Sequence, residues 1–426
     1  MKIKKGDLII LILIVALIAA GLLIRNRVKS GDSSSVAAKT EQVDLVFTQL
    51  KESEWEEGVL SSLIEEYEGL HPEVSIREQP QGYDEIMAAS AGEAAGPDLI
   101  VMDGRYLSEF IKAEMFGSLE PYIHSGTPLV PQPGPQAAGS PLEKWALPLL
   151  SSMDVLFYNI DILKAAGFDR PPRNRTEFLA YAKAVSKGGE GTDKQYGAAL
   201  ALSPADSRAV YRDVFSWIWA AGAELTKDGA PDFSNKAVTD TLAFLAQLEK
   251  EGLLAPQSFT ATGSQRLEEF TGGKIAMLIG SVEDIAKVSG KMQDNAFGIT
   301  VIPGPADNAL KPVFGLSTWY GGIGAGSRHP AEAWAFLLYL RENSGRLAEQ
   351  IRAVPGSGAE AAYITAESLY TKAWNMYEAA DPVQELTAFP KIRELERAVR
   401  EELAKLFANG QSSVADTAAA IQKQWE

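Results

Sequence analysis

From residue 43 onward the chain alternates between two hydrophobic periods, and the switches between them mark the elements. Val43-Asp44-Leu45-Val46-Phe47 is short and apolar-rich, and predicts a strand. Ser53 and Glu56 then form a Ser-x-x-Glu capping box, and Trp55, Val59, Leu63, Ile64 and Tyr67 follow at helical spacing. His71-Pro72 stops that helix. Val74-Ser75-Ile76 predicts a second strand, 83–91 a second helix, and 98–102 a buried third strand after Gly96-Pro97. Parallel strands with right-handed crossovers satisfy this order most economically, which makes the chain α/β. Sites in such sheets lie beyond the carboxyl ends of the strands, so 48–52 and 103–106 belong near any pocket.

Further along, the stretch 126–141 holds five prolines and three glycines, and predicts an irregular loop. Residues 144–178 then read KWALPLLSSMDVLFYNIDILKAAGFDRPPRNRTEF. An extended apolar segment runs into Tyr158-Asn159, a short helix ends at Gly167, and a Pro-Pro turn precedes a new helix start. Helix-rich sequence continues to about residue 254. Residues 297–303, FGITVIP, predict a strand closed by proline. Helices are expected over 330–340, 389–407 and 414–425, with amphipathic character strongest in the second. The charge runs at 52–57 and 393–405 read as solvated helix faces. No internal repeat is evident.

Composition narrows the function classes. A chain of 426 residues exceeds one ordinary core, so two or more lobes are expected. The formal net charge of -16 makes nucleic acid and anionic lipid poor partners. There is no cysteine, which excludes a disulfide, a thiolate nucleophile and thiolate-bound zinc. His71, His124 and His329 lack ligand spacing, so neither a metal nor a cofactor is expected.

The N-terminus carries the localisation signal. Met1 to Lys5 is basic, and Leu8 to Ile24 is apolar throughout. At helical rise the run spans roughly 25 Å, slightly short of a bilayer core of about 30 Å. Val36-Ala37-Ala38 offers a signal-peptide cleavage site. Arg25, Arg27 and Lys29 hinder translocation and favour an uncleaved anchor instead. Residues 31–40 are small and polar and read as a tether.

The stretch 144–178 resembles the signature of bacterial extracellular solute-binding proteins of ABC importers, the family that includes maltose- and other sugar-binding proteins. Three more stretches resemble that family: 270–280, where FTGGKIAML carries a Gly-Lys pair before a strand; 297–303; and 311–340, where KPVFGLSTWYGGIGAG matches the return across a hinge. The resemblance covers nearly the whole chain after residue 40. It implies a two-lobe periplasmic-binding-protein-like fold, each lobe a mostly parallel sheet flanked by helices, joined by multiple hinge crossings near 148–151, 311–316 and 375–385. It places 41–150 with 312–375 in lobe 1, and 151–311 with 376–426 in lobe 2, after a 1–40 signal or anchor segment. Many relatives are lipoproteins tethered through a cysteine, a mode this chain lacks.

Candidate ligand-binding residues follow from that resemblance and from the needs of a sugar, which presents hydroxyls at its edge and C–H faces to aromatic platforms. Relatives place an aromatic near Trp217 and Trp219, and an i, i+2 helical pair diverges, so at most one of them faces the cleft. Trp319 and Tyr320 lie in the return crossing, where they either floor the cleft or pack against the signature strand. Asp103 and Arg105 match a strand end at which some sugar-binding relatives use an acid and an arginine; the alternative is a surface salt bridge. Gln49 follows the first strand and can donate or accept. Glu283 falls where many relatives carry Gly-Pro-Trp, and Val282 stands in place of that tryptophan, which argues against a maltose-like ligand.

The resemblance therefore implies a monomeric, non-enzymatic extracellular receptor that captures a small solute, a sugar or oligosaccharide, and delivers it to a permease. Alternatives are a glycoside hydrolase, a receptor for a non-sugar solute, or one linked to a sensor. A hydrolase needs two carboxyls facing one bond, and no pair stands out. Nucleophile-elbow, phosphate-loop, zinc-protease and dinucleotide motifs are absent from the sequence.

Overall fold

The computed structural model describes residues 42–51, 58–90, 96–123, 142, 144–186, 194–293, 295–305, 313–351, 354–355, 368–379, 381–383, 385–408 and 411–425. Five sequence expectations lie outside these residues: the 1–40 anchor and tether, the Ser53/Glu56 capping box with Trp55, the charge run at 52–57, the 126–141 loop, and the start of the return crossing at Lys311. Val43–Glu426 forms one compact unit.

Strands β1 (Val43–Gln49), β2 (Val74–Glu78) and β3 (Leu99–Asp103) pair in parallel in the order β2-β1-β3. The helices Ser61–Leu70 and Tyr83–Ser90 supply the crossovers, as the alternating order predicts. β4 (Leu147–Asn159) is the longest strand. The later strands are β5 (Tyr196–Ala198), the hairpin β6 (Thr226–Lys227) and β7 (Ala230–Pro231), β8 (Ile275–Ser281), β9 (Phe297–Thr300), β10 (Val313–Ile323), β11 (Val354–Pro355) and β12 (Asp381–Val383). One sheet runs β2-β1-β3-β10-β4-β8-β5, with β11 and β9 also on β4 and β12 also on β10.

β4 and β10 are antiparallel and change partners halfway along. The first part of β4 pairs with β10 and β11, and its last residues pair with β8 and β9. The packing changes at the same place. Leu147, Leu149 and Leu150 join Trp319 and Ile323 in a core with Leu45, Phe47 and Phe336. Met153, Val155 and Phe157 join Phe314 and Leu316 in another core with Phe270, Ile275 and Phe297. Between the two lies a polar waist. Ser317 pairs with Ser152 and Thr318 with Ser151, and the Ser151 and Thr318 hydroxyls are 3.0 Å apart. Ser151 and Thr318 satisfy each other there, and Ser152 and Ser317 find charged partners.

β4 ends as its sequence dictates. Asn159 leaves the strand in extended conformation and its Oδ1 accepts from Ile162 N at 3.0 Å. This N-cap turns the chain straight into the helix Ile160–Ala165, which closes at Gly167 with φ +92°. The large third cluster packs Phe178, Trp217, Phe233 and Phe244 together with Met102, Tyr106 and Phe110 from the β3 end.

Candidate functional site

The carboxyl end of β3 builds the site. Asp103 Oδ1 accepts from Arg105 N at 2.9 Å and so starts the 3-10 turn Gly104–Tyr106. Gly104 is required there: a Cβ would stand 2.7 Å from Tyr320 Cε2 and 2.8 Å from the Thr318 carbonyl. That close approach presses the turn onto β10 and sends the Arg105 side chain across the molecule. Its Nε lies 3.1 Å from Asp103 Oδ2. Its Nη1 donates to Glu396 Oε1 at 3.0 Å and to the Ser207 carbonyl at 2.8 Å. The guanidinium also lies over Tyr106 and Tyr211, 5.1 and 5.3 Å from the ring centroids. It is 2% exposed, so these contacts act in a low-dielectric setting.

Beside it is a cavity of about 10 Å³, room for roughly one water. Asp103, Arg105, Tyr211, Trp219, Leu316, Thr318, Val383, Leu386 and Thr387 line it. Trp219 sits on the short helix Ser216–Trp219, which follows the π-helical turn Tyr211–Phe215. Its ring meets Tyr211 edge-on, with centroids 4.9 Å apart.

A second polar group occupies the waist. Arg208 Nη2 donates to Asp154 Oδ1 at 3.2 Å and to Ser317 Oγ at 3.1 Å. Ser216 Oγ donates to Asp154 Oδ2, and Ser152 Oγ donates to Glu283 Oε2 at 2.6 Å. Burial pushes the Glu283 carboxyl up to about 7, against the opposing pull of Arg208 and Ser152. Burial likewise pushes Glu396 up to about 7, with Arg105 opposing. The Tyr211 phenol is raised by burial first, and then by Asp103 and Asp154. Two arginines and four carboxyls thus meet near the junction of β4 and β10, and fork-like groups face an aromatic ring. This set can grip hydroxyls or a charged group by hydrogen bonds. Among the described residues no group of three or more His, Cys, Asp or Glu side chains could hold a metal ion.

The structure brings three of the eight sequence candidates, Asp103, Arg105 and Trp219, around one cavity. Glu283 belongs to the neighbouring waist group. Gln49 is buried at the end of β1 and lies outside the cavity lining. Trp217 packs against Phe178 and Phe244 in the large core, so the i, i+2 pair does diverge. Trp319 pairs in register with Asp103, but its ring joins the Leu45 and Phe336 core. Tyr320 flanks Gly104 without lining the cavity.

Sequence reasoning missed Tyr211, Arg208, Asp154, Thr318 and Glu396. Asp154 and the Ser-Thr pair of β10 carried a readable signal, because each interrupts an otherwise apolar strand. The solvated-face reading of 393–405 needs correction. Glu396 and Glu402 are buried on the helix Ile392–Phe407, since one edge of that helix packs against the rest of the molecule.

Comparison with known proteins agrees with this architecture. The family model for the bacterial extracellular solute-binding protein matches residues 54–346. A binding protein of Brucella abortus is 25% identical over 266 residues, 60% of this chain and 61% of that one, so the match spans about three-fifths of that relative. Among solved structures, the ABC transporter solute-binding protein of Thermotoga lettingae bound with alpha-D-tagatose superposes with TM-score 0.71 at 17% identity, covering 90% of this chain and 98% of that one. The sugar-binding protein MalE of Xanthomonas citri does so with TM-score 0.71 at 16% identity, covering 90% and 96%. These likenesses establish a shared fold.

Proposed function

The chain belongs to the bacterial extracellular solute-binding protein family, and from that premise we propose that it is a receptor that captures a small solute without chemical change and delivers it to an ABC transporter permease. The two lobes are 41–150 with 312–375, and 151–311 with 376–426. The solute sits where Asp103, Arg105, Tyr211 and Trp219 converge, and that convergence is the observation that carries the reading. Asp103, Arg105 and Thr318 come from one lobe, and Tyr211, Trp219 and Thr387 from the other. A ligand touching both groups favours the closed arrangement and shifts the population toward it. A cavity of about 10 Å³ is far smaller than a sugar, so the lobes part to admit one. The strands β4 and β10 bend at their Ser/Thr waist to allow this.

The chemistry of the lining favours a polyhydroxylated ligand. Arg105 and Asp103 offer forked donors and acceptors, and Trp219 and Tyr211 offer ring surface worth about 0.5–1.5 kcal/mol per stacked contact beyond area burial. The receptor acts at the outer face of the cell membrane, either anchored through Leu8–Ile24 or released after cleavage near Ala38. Among the described residues no helix is long and apolar enough to cross a membrane.

Calorimetric titration of the chain with a panel of oligosaccharides, monosaccharides, amines and anions tests the proposal. Sugar binding that falls at least tenfold in Trp219→Ala and Arg105→Met supports it. Binding of an amine or anion alone would end the sugar reading, and binding of none of the panel would end the receptor reading. Deletion of the gene, with solute uptake scored against transcription, separates a permease partner from a sensor.

A further inference from the structure

The helix Ile392–Phe407 reaches across the proposed cleft at three points on one edge. Arg393 lies 4.1 Å over the ring of Tyr83, and its Nη1 donates to Asp84 Oδ1 at 2.8 Å. Glu396, one turn on, takes the Arg105 guanidinium at 3.0 Å. Between them the helix N-terminus is capped from the other lobe. No side chain of its own caps it, and the backbone N–H groups of Ile392 and Arg393 donate to Glu109. Tyr83 Oη donates to the same carboxylate at 2.5 Å. An anion placed there satisfies orphan helix donors and meets the positive end of the helix dipole. Tyr83, Asp84, Arg105 and Glu109 all precede residue 150, and the helix follows residue 376, so every one of these contacts joins the two proposed lobes.

We infer that the helix Ile392–Phe407 is a clasp: Arg393, Glu396 and the helix N-terminus bind the first lobe directly and set the balance between open and closed forms. The inference rests on the two-lobe reading above. Arg393, Tyr83 and Asp84 lie outside the cavity lining, so the clasp acts on closure and not through ligand contact. Apparent affinity for a solute scales with the fraction of molecules already closed. The clasp therefore sets how tightly any solute is held, whatever its chemistry.

The absence of cysteine makes the test clean, because two introduced thiols label uniquely. Spin labels at Glu65→Cys and Lys250→Cys, both exposed positions on opposite lobes, report the interlobe distance in the full chain by pulsed electron resonance. Arg393→Ala is expected to raise the ratio of long-distance to short-distance molecules by about fivefold, from loss of a cation–π contact and an exposed ion pair. Glu396→Gln, which keeps its shape, should add to that shift. Arg393→Lys should recover part of the Arg393→Ala loss. Identical distance distributions in the parent, Arg393→Ala and the double variant would overturn the clasp. The measurement uses no ligand, so failure of the oligosaccharide titration leaves it interpretable. Unchanged distances alongside intact oligosaccharide binding would remove the clasp and leave the receptor standing.

Discussion

Gly315 is the position at which a single methyl group tests the geometry of the proposed site most sharply. It lies in β10, paired with Val383 of β12, and the ring of Trp219 rests directly on its backbone. A Cβ at Gly315 would stand 2.1 Å from Trp219 Cζ3, 2.4 Å from Cε3 and 2.9 Å from Cη2. Carbon atoms pack best at about 3.5–4.0 Å, so the ring must retreat by about 1.5 Å. Tyr211 and Phe215 hold it edge-on at 4.9 and 6.0 Å between centroids, and it is 1% exposed, so it has little room to move. Gly315→Ala is therefore expected to destabilise the protein by about 3 kcal/mol, the upper part of the overpacking range. Urea denaturation followed by tryptophan emission measures the loss. The three crowded atoms all belong to the six-membered ring that Trp219→Phe removes from this place. In the Trp219→Phe background the alanine should cost at least about 1 kcal/mol less, a coupling that a double-mutant cycle isolates. Strict additivity of the two substitutions would refute the reasoning, because it would mean the ring does not rest on Gly315.

Three further outcomes follow from the ion pairs and caps. Arg105→Met leaves Asp103 and Glu396 buried without their shared cation and should cost about 3–5 kcal/mol in urea, part of it recovered by adding Glu396→Gln. Glu283 is held near 7 in the fold against a reference of 4.5. A raised carboxyl contributes stability that is complete below pH about 4.5 and is lost as pH rises through about 7. The stability of the parent relative to Glu283→Gln should accordingly fall across that window and level off above it in a thermal melting series; a rising difference would contradict the burial of this carboxyl. Asn159→Ala removes the cap at the exit of β4 and should cost about 1 kcal/mol by urea midpoint, with Asn159→Asp close to neutral.

Local pattern made much of this fold legible. The parallel pairing of β1, β2 and β3 followed from strand–helix alternation, and Gly167 marked the stop of the helix after β4. The divergence of Trp217 and Trp219 followed from helical geometry, and the position of Asp103 and Arg105 from the rule that sites lie beyond strand ends. What stayed hidden depends on contacts between distant parts of the chain. Glu396 pairs with an arginine 291 residues away, and nothing in an amphipathic helix says which charged edge the rest of the chain will cover. Trp319 and Trp219 are equally bulky and both buried. Alternation along β10 separates them: Thr318 lines the cavity, and the next residue, Trp319, joins the Leu45 and Phe336 core. Asp154 was legible in principle: a carboxylate in the midst of an apolar strand needs a partner, and Arg208 supplies it.

The Ser/Thr waist has a mechanical consequence. Bending a strand through a tightly interlocked core means prising large side chains out of their seats and back again. At Ser151, Ser152, Ser317 and Thr318 the side chains are small hydroxyls held by hydrogen bonds, with no large apolar group to unseat. Replacing them with valine or leucine would weld the two cores into a single stiff slab. On the proposed two-lobe reading, the four hydroxyls would serve as the joint between the lobes.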